Sequence, residues 1–421
     1  MYLLLILVFT GFILAVPLFT SLGFAESPNF LFRRAPSGCT TASGTIGNTV
    51  WMTCTIVTGQ VIVATNNTLT ITEGTTVYFE PDTSIRINGT LLASGYPTAT
   101  ITFTSNAAFP APGDWEYLHF TNSSSDNPGC DETRSVLRYT LVEYAGGATV
   151  ADNGAIRIQS ASPCIEYNTI QFNAVDAIHI WTSIPPHDIN MRVRYNNILE
   201  NGIPGSTQAA GIYLRSDGLS GTVEIIGNTV TQNTNTGIIV DVDSTGSIPV
   251  QENFIQNNTS TNQGGGLFFN GHNGSVSKNI IINNFTTQNG GGIYFQQGPQ
   301  NTIVVNENII ANNHADLAGG GIYLCDGCDP VIFNNDFCLN TDNSLYDNDF
   351  YNGNSSEQGP VSAQNNYWVE QDFAPVEFHV FHQADDPQLG FVDFSNIRLT
   401  PFNTIYCPNA PTRTPTPTIT P

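Results

Sequence analysis

Arg215 and Asp217, Asp241 and Asp243, and Asn270 and His272 occupy the same two positions in three successive glycine-led segments. If those segments are neighbouring strands of one sheet, residues in a column stand about 4.8 Å apart and alternate residues of a strand about 6.7 Å apart. Asp217, Asp243 and His272 then fall in one column, with Arg215 beside Asp241 and Asn270 in another. Carboxylates at such separations fit sugar hydrolysis: the along-strand spacing suits an inverting pair and the between-strand spacing a retaining one. Asp217, Asp241 and Asp243 also suit a calcium ion, the one cofactor the residues suggest. The plain alternative is a group of polar turn residues that simply face water.

Two residues after each glycine stand Tyr213, Ile239, Phe268, Tyr294 and Tyr323, preceded by Arg157 and His179 in weaker copies that start at Ala155 and Ala177. An outward aromatic column either stacks on itself and shields the sheet or offers its rings to sugars. In the second case Tyr213, Phe268, Tyr294 and Tyr323, with Asn270 beside them, form a glycan-binding stripe.

The elements that must hold these residues come from a repeat. The glycine-led series reads Gly211-Ile-Tyr-Leu, Gly237-Ile-Ile-Val, Gly266-Leu-Phe-Phe, Gly292-Ile-Tyr-Phe and Gly321-Ile-Tyr-Leu. An asparagine-led series alternates with it at Asn168, Asn197, Asn228, Asn253, Asn279, Asn308, Asn335 and Asn366. Two short β-rich segments per period exclude helical repeats and fit the coils of a solenoid. The first and third residues after each glycine are apolar and point inward, which predicts ladders through Ile212, Ile238, Leu267, Ile293 and Ile322 and through Leu214, Val240, Phe269, Phe295 and Leu324. About four inward aliphatics per coil yield only 6–12 kcal/mol gross. That is less than the entropy of fixing one coil, so the coils must fold as a stack. The asparagines are expected to sit at sharp turns and to pass amide hydrogen bonds from coil to coil.

Gly290-Gly291-Gly292-Ile293-Tyr294 and Ile309-Ile310-Ala311-Asn312-Asn313 resemble right-handed parallel β-helix repeats, similar to those of pectin-lyase-like proteins and polymorphic outer-membrane proteins. Leu69 to Phe79, Ile101 to Ser105, Pro112 to Trp115 and Glu143 to Gly146 resemble the entry coils of such surface proteins, and Asn365 to Trp368 with Asp385 to Ser395 their closing segment. The resemblance implies an all-β, right-handed parallel β-helix of roughly a dozen coils. It says little about function, because this fold hosts lyases, hydrolases, epimerases, adhesins and structural modules. Asn340-Thr-Asp342, Asp385-Asp386 and Gly271-His272 look like fragments of the polygalacturonase signature, but in the wrong order and without its basic element. An EF-hand reading of Asp347-Asn-Asp349 fails because Tyr351 and Asn352 stand where an acidic residue and a glycine belong.

The chain has 421 residues, 35 acidic and 12 basic side chains, a net charge of −23 and one lysine, Lys278. Such a surface repels phosphate backbones and anionic membranes, which excludes nucleic acid as a partner. Tyr2 to Phe24 is almost wholly apolar and Gly23-Phe24-Ala25 offers a signal-peptidase site, so residues 1–25 are expected to be a signal peptide, or otherwise an uncleaved anchor. Residues 26–60 are expected to cap the solenoid, 61–400 to form it, and the Pro/Thr-rich 401–421 to be a linker or stalk. In an exported chain eight cysteines favour disulfides, with Cys39–Cys54 and Cys130–Cys164 plausible by proximity. Cys325-Asp-Gly-Cys328 has zinc-ligand spacing but lacks a matching second pair. Together these features predict a secreted or cell-surface module that binds glycan or acts as a scaffold. The alternative is a polysaccharide-degrading enzyme, a hydrolase before a lyase, since the cationic cluster that holds a uronate is missing.

Overall fold

The computed structural model describes residues 34–182, 188–204, 206, 209–242, 246–296, 302–343, 348–369 and 376–407. The expected signal segment and most of the Pro/Thr tail lie outside them. Among the described residues helix is confined to Val376 and Glu377. The chain is a right-handed parallel β-helix. One coil shows the plan: Thr222–Ile226 lies on the first face, Thr229–Thr231 on the second and Ile238–Val242 on the third. The first face alone stacks eleven strands. Parallel pairing begins at Thr40, whose strand Thr40–Ile46 pairs with Cys54–Val63.

The glycine-led strands stack in the expected register. Ile212, Ile238, Leu267, Ile293 and Ile322 are successive partners, as are Leu214, Val240, Phe269, Phe295 and Leu324. All are buried in one continuous core. The period of two fixes this, because a one-residue slip would drive the aromatic column inward and the aliphatic ladders into water.

The asparagines form two ladders rather than one. The first runs Asn168, Asn196, Asn228, Asn253, Asn279, Asn308, Asn335, Asn366. Asn196 therefore takes the rung expected of Asn197, which instead pairs with Thr169 on the strand. The second runs Asn173, Asn201, Asn233, Asn258, Asn284, Asn313, Asn340. Asn258 shows the pattern: its Nδ2 donates to Val230 O at 3.0 Å and to Asn284 Oδ1 at 3.0 Å, and its backbone N–H donates to the same Oδ1 at 3.1 Å. Each rung follows a residue in the left-handed region, such as Gln232 (φ 56°), Asn257 (φ 54°) and Asn283 (φ 54°). That conformation costs about 1–2 kcal/mol for a non-glycine residue. The rung's hydrogen bonds, at about 1 kcal/mol each, offset it.

The leading glycines serve the same device. Their φ values are ordinary; what matters is room. A Cβ on Gly266 would lie 2.7 Å from Gly292 O and 2.9 Å from Asn284 Nδ2, and one on Gly292 would lie 2.6 Å from Gly321 O and 3.1 Å from Asn313 Nδ2. Glycine and asparagine series are thus two halves of one inter-coil contact. In the last such coil Asp349 takes over both parts: its carbonyl receives the N–H of Gly321, and its Oδ1 accepts from Asn340 N at 3.1 Å and Nδ2 at 2.7 Å.

All eight cysteines pair, as Cys39–Cys54, Cys130–Cys164, Cys325–Cys328 and Cys338–Cys407. Both pairs anticipated by proximity form, and Cys325–Cys328 is a disulfide rather than half a zinc site. Residues beyond the last strand fold back over the final coils, tied by Cys338–Cys407, an Arg398–Asp336 ion pair and the bond from Phe402 N to Asp336 Oδ2 at 2.7 Å.

Candidate functional site

The aromatic column is real and longer than the sequence suggested. His119, Arg157, His179, Tyr213, Ile239, Phe268, Tyr294, Tyr323, Tyr351 and Phe381 are register partners in turn. From Phe268 onward the rings stack face to face at centroid separations of 5.6, 5.2, 4.8 and 4.9 Å, tilted by only 5–9°. The faces of Tyr294 and Tyr323 are therefore covered by their neighbours and only ring edges remain outside. Burial pushes the Tyr323 phenol up to about 12. These two residues shield the sheet and offer no platform for a sugar.

Ile239 interrupts the column. An aliphatic side chain is shorter than a tyrosine, so the gap between Tyr213 and Phe268 opens into a groove of about 470 Å³. Thr236, Thr261, Asn262, Gln263 and Gln288 line its other side and Asp241 one edge. The threonines and amides come from the turns before the glycine-led strands. The groove runs along the helix axis across several coils.

The expected Arg215, Asp241 and Asn270 row exists: they are direct register partners. Asn270 Nδ2 donates to Asp241 Oδ1 at 2.8 Å, while Arg215 reaches back to Asp152 at 3.7 Å. Tyr213 and Asp241 line the groove together. Burial first, and the charge of Asp241 second, push the Tyr213 phenol up to about 12.

The second expected column is different. The strands end at Ser216, Val242 and Asn270, so Asp217 and His272 stand in turns, where strand spacing no longer governs their separation. Asp217 is exposed and lines a separate, smaller groove with Arg215, Asp152, Trp181, Thr182 and Ser216. Asp243 lies outside the described residues, and with it the third ligand of the calcium reading. Among the described residues the one cluster of potential metal ligands is Cys130, Cys164 and Glu166, whose sulfurs are joined in a disulfide.

A polar cluster above the groove escaped sequence reasoning. His179 was visible as a column member, but its partners were not. His179 Nδ1 lies 2.7 Å from Asp176 Oδ2 and Nε2 lies 3.7 Å from Asp152. Asp176 Oδ1 accepts from Ala210 N at 2.6 Å. Burial disfavours charge on His179, yet the two carboxylates outweigh it and hold its pKa above the usual value. Arg157 lies over Tyr117 and Trp181, at 4.5 and 5.0 Å from the ring centroids. His179 and Asp176 are enclosed and anchor the loop that carries Asp152, whose partly exposed carboxylate is the cluster's one outward group and lines the groove shared with Arg215 and Asp217.

No family model matches the chain and no curated protein does. Among solved structures it is similar to the periplasmic alginate epimerase AlgG, at 14% identity over 82% of this chain and 74% of that one, with a TM-score of 0.31. It is also similar to a mannuronic acid specific polysaccharide family 6 lyase from human gut microbiota, at 10% identity over 80% and 84% of the two chains, with a TM-score of 0.38. Likenesses this remote carry no implication for the chemistry of this chain.

Proposed function

We propose that the protein is an extracytoplasmic, secreted or surface-bound β-helix that binds a polysaccharide along the groove between Tyr213 and Phe268. The observation that carries this reading is the break in the aromatic stack at Ile239, which leaves two rings facing a slot lined by hydroxyl and amide groups. Apolar ring faces with a few convergent polar groups are what a saccharide requires. Four disulfides fit an oxidising compartment. The charge of −23 keeps nucleic acid away. Glycoside hydrolysis needs two carboxyl groups on opposite sides of the bond. Asp241 is the single carboxylate among the described lining residues, which favours binding over cleavage.

Electrophoresis through gels containing soluble polysaccharides tests the reading. The protein is expected to be retarded by at least one polymer, and Phe268→Ala to lose about tenfold in affinity, near 1.4 kcal/mol for one ring contact. Retardation that is equal for the wild type and Phe268→Ala would place binding elsewhere.

A further inference from the structure

The groove's charge is one-sided. Of its described lining residues Asp241 is the one carboxylate, and none is basic. Arg215, the register partner of Asp241, reaches Asp152 at 3.7 Å and is not among the groove's described lining residues. Asn270 Nδ2 donates to Asp241 Oδ1 at 2.8 Å, so the neighbouring coil holds one oxygen of the carboxylate that lines the groove. Thr236, Thr261, Asn262, Gln263 and Gln288 add neutral donors and acceptors only.

We propose that this groove selects polysaccharides of uncharged sugars and rejects polyuronates and sulfated glycans, with Asp241 as the specificity-determining residue. The inference rests on the groove being the glycan site. A fixed carboxylate accepts hydrogen bonds from sugar hydroxyls, and such charge-assisted bonds are the stronger kind. A uronate brings one negative charge per residue to the same place. It meets Asp241 at close range, finds no arginine or lysine among the described lining residues, and must approach a chain carrying a net charge of −23. Discrimination then comes from repulsion of the wrong ligand as much as from attraction of the right one.

The test compares the full chain on neutral polymers (a mixed-linkage glucan and a mannan) with polygalacturonate and alginate. EDTA is present throughout so that no cation bridges two carboxylates. The wild type is expected to bind a neutral polymer and to bind both polyuronates at least about tenfold more weakly at low salt, with the gap narrowing as salt screens it. Asp241→Asn should weaken neutral binding and shrink the neutral-to-uronate ratio by about tenfold. Polyuronate binding equal to or tighter than neutral binding overturns the selectivity and leaves the groove reading standing. An unchanged ratio in Asp241→Asn removes that residue from the role. Retardation by no polymer of either class overturns the groove reading and this inference with it.

Discussion

Replacing Asp349 by asparagine should stabilise the protein at neutral pH. Asp349 ends the second asparagine ladder with a buried carboxyl whose Oδ1 receives two hydrogen bonds from Asn340. Burial raises its pKa from 3.8 to about 6; His379, at 3.9 Å, and the Asn340 bonds pull the other way, and the charge of Asp342 adds to the rise. Because the folded pKa exceeds the unfolded one, the native state holds the extra proton between about pH 4 and 6. Stability is therefore lost as pH climbs through that window and stays lost above it. The rise from 3.8 to about 6, at 1.36 kcal/mol per pH unit, sets a penalty of about 3 kcal/mol at pH 8. Asp349→Asn keeps the acceptor and removes the charge, so it should recover up to that amount at pH 8 and close to nothing at pH 4. Because coils of a solenoid open locally, hydrogen exchange of the strands around Asn340 and Phe350, measured at both pH values, is the direct assay. A variant that is less protected at pH 8, or equally shifted at both pH values, would refute the reasoning.

Ile293→Asp should cost more than about 4 kcal/mol by burying a charge between Leu267 and Ile322, and an unchanged melting temperature would contradict the register. Gly292→Ala should cost about 1–3 kcal/mol, since its Cβ meets the Gly321 carbonyl; thermal melts that tolerate it would sink the steric account of the glycines. Cys407→Ser should release the C-terminal segment from the last coils. The chain-entropy model puts the loss at about 4 kcal/mol for a loop of this length, read as faster proteolysis after Thr400 with the earlier coils intact.

Much of the fold was legible because period-two apolarity and a recurrent glycine report the same strand independently: Ile238, Leu267 and Ile293 admit one register only. The first ladder was misread by one position where two asparagines, Asn196 and Asn197, are adjacent and composition cannot rank them. The second ladder was equally legible and was passed over: each rung stands five residues after one of the first, as Asn233 after Asn228 and Asn258 after Asn253. Asp349 lay in a stretch without the repeat, so its role as terminal rung appears only in three dimensions. At the site, Tyr213, Phe268, Asp241 and Asn270 were readable as columns. The groove was not, because it depends on what Ile239 lacks and on Thr261, Asn262, Gln263 and Gln288, which belong to another part of the coil. The Asp152–His179–Asp176 cluster joins residues across a turn, where no period applies.

The central claim is that the missing ring at Ile239 makes the binding groove. Ile239→Phe, measured for polysaccharide affinity and melting temperature together, tests it most directly. The new ring should stack between Tyr213 and Phe268, fill the slot and continue the column, a contact worth about 0.5–1.5 kcal/mol. The account predicts an equal or higher melting temperature and a loss of affinity of at least about tenfold. Wild-type affinity in a fully folded Ile239→Phe protein would contradict it.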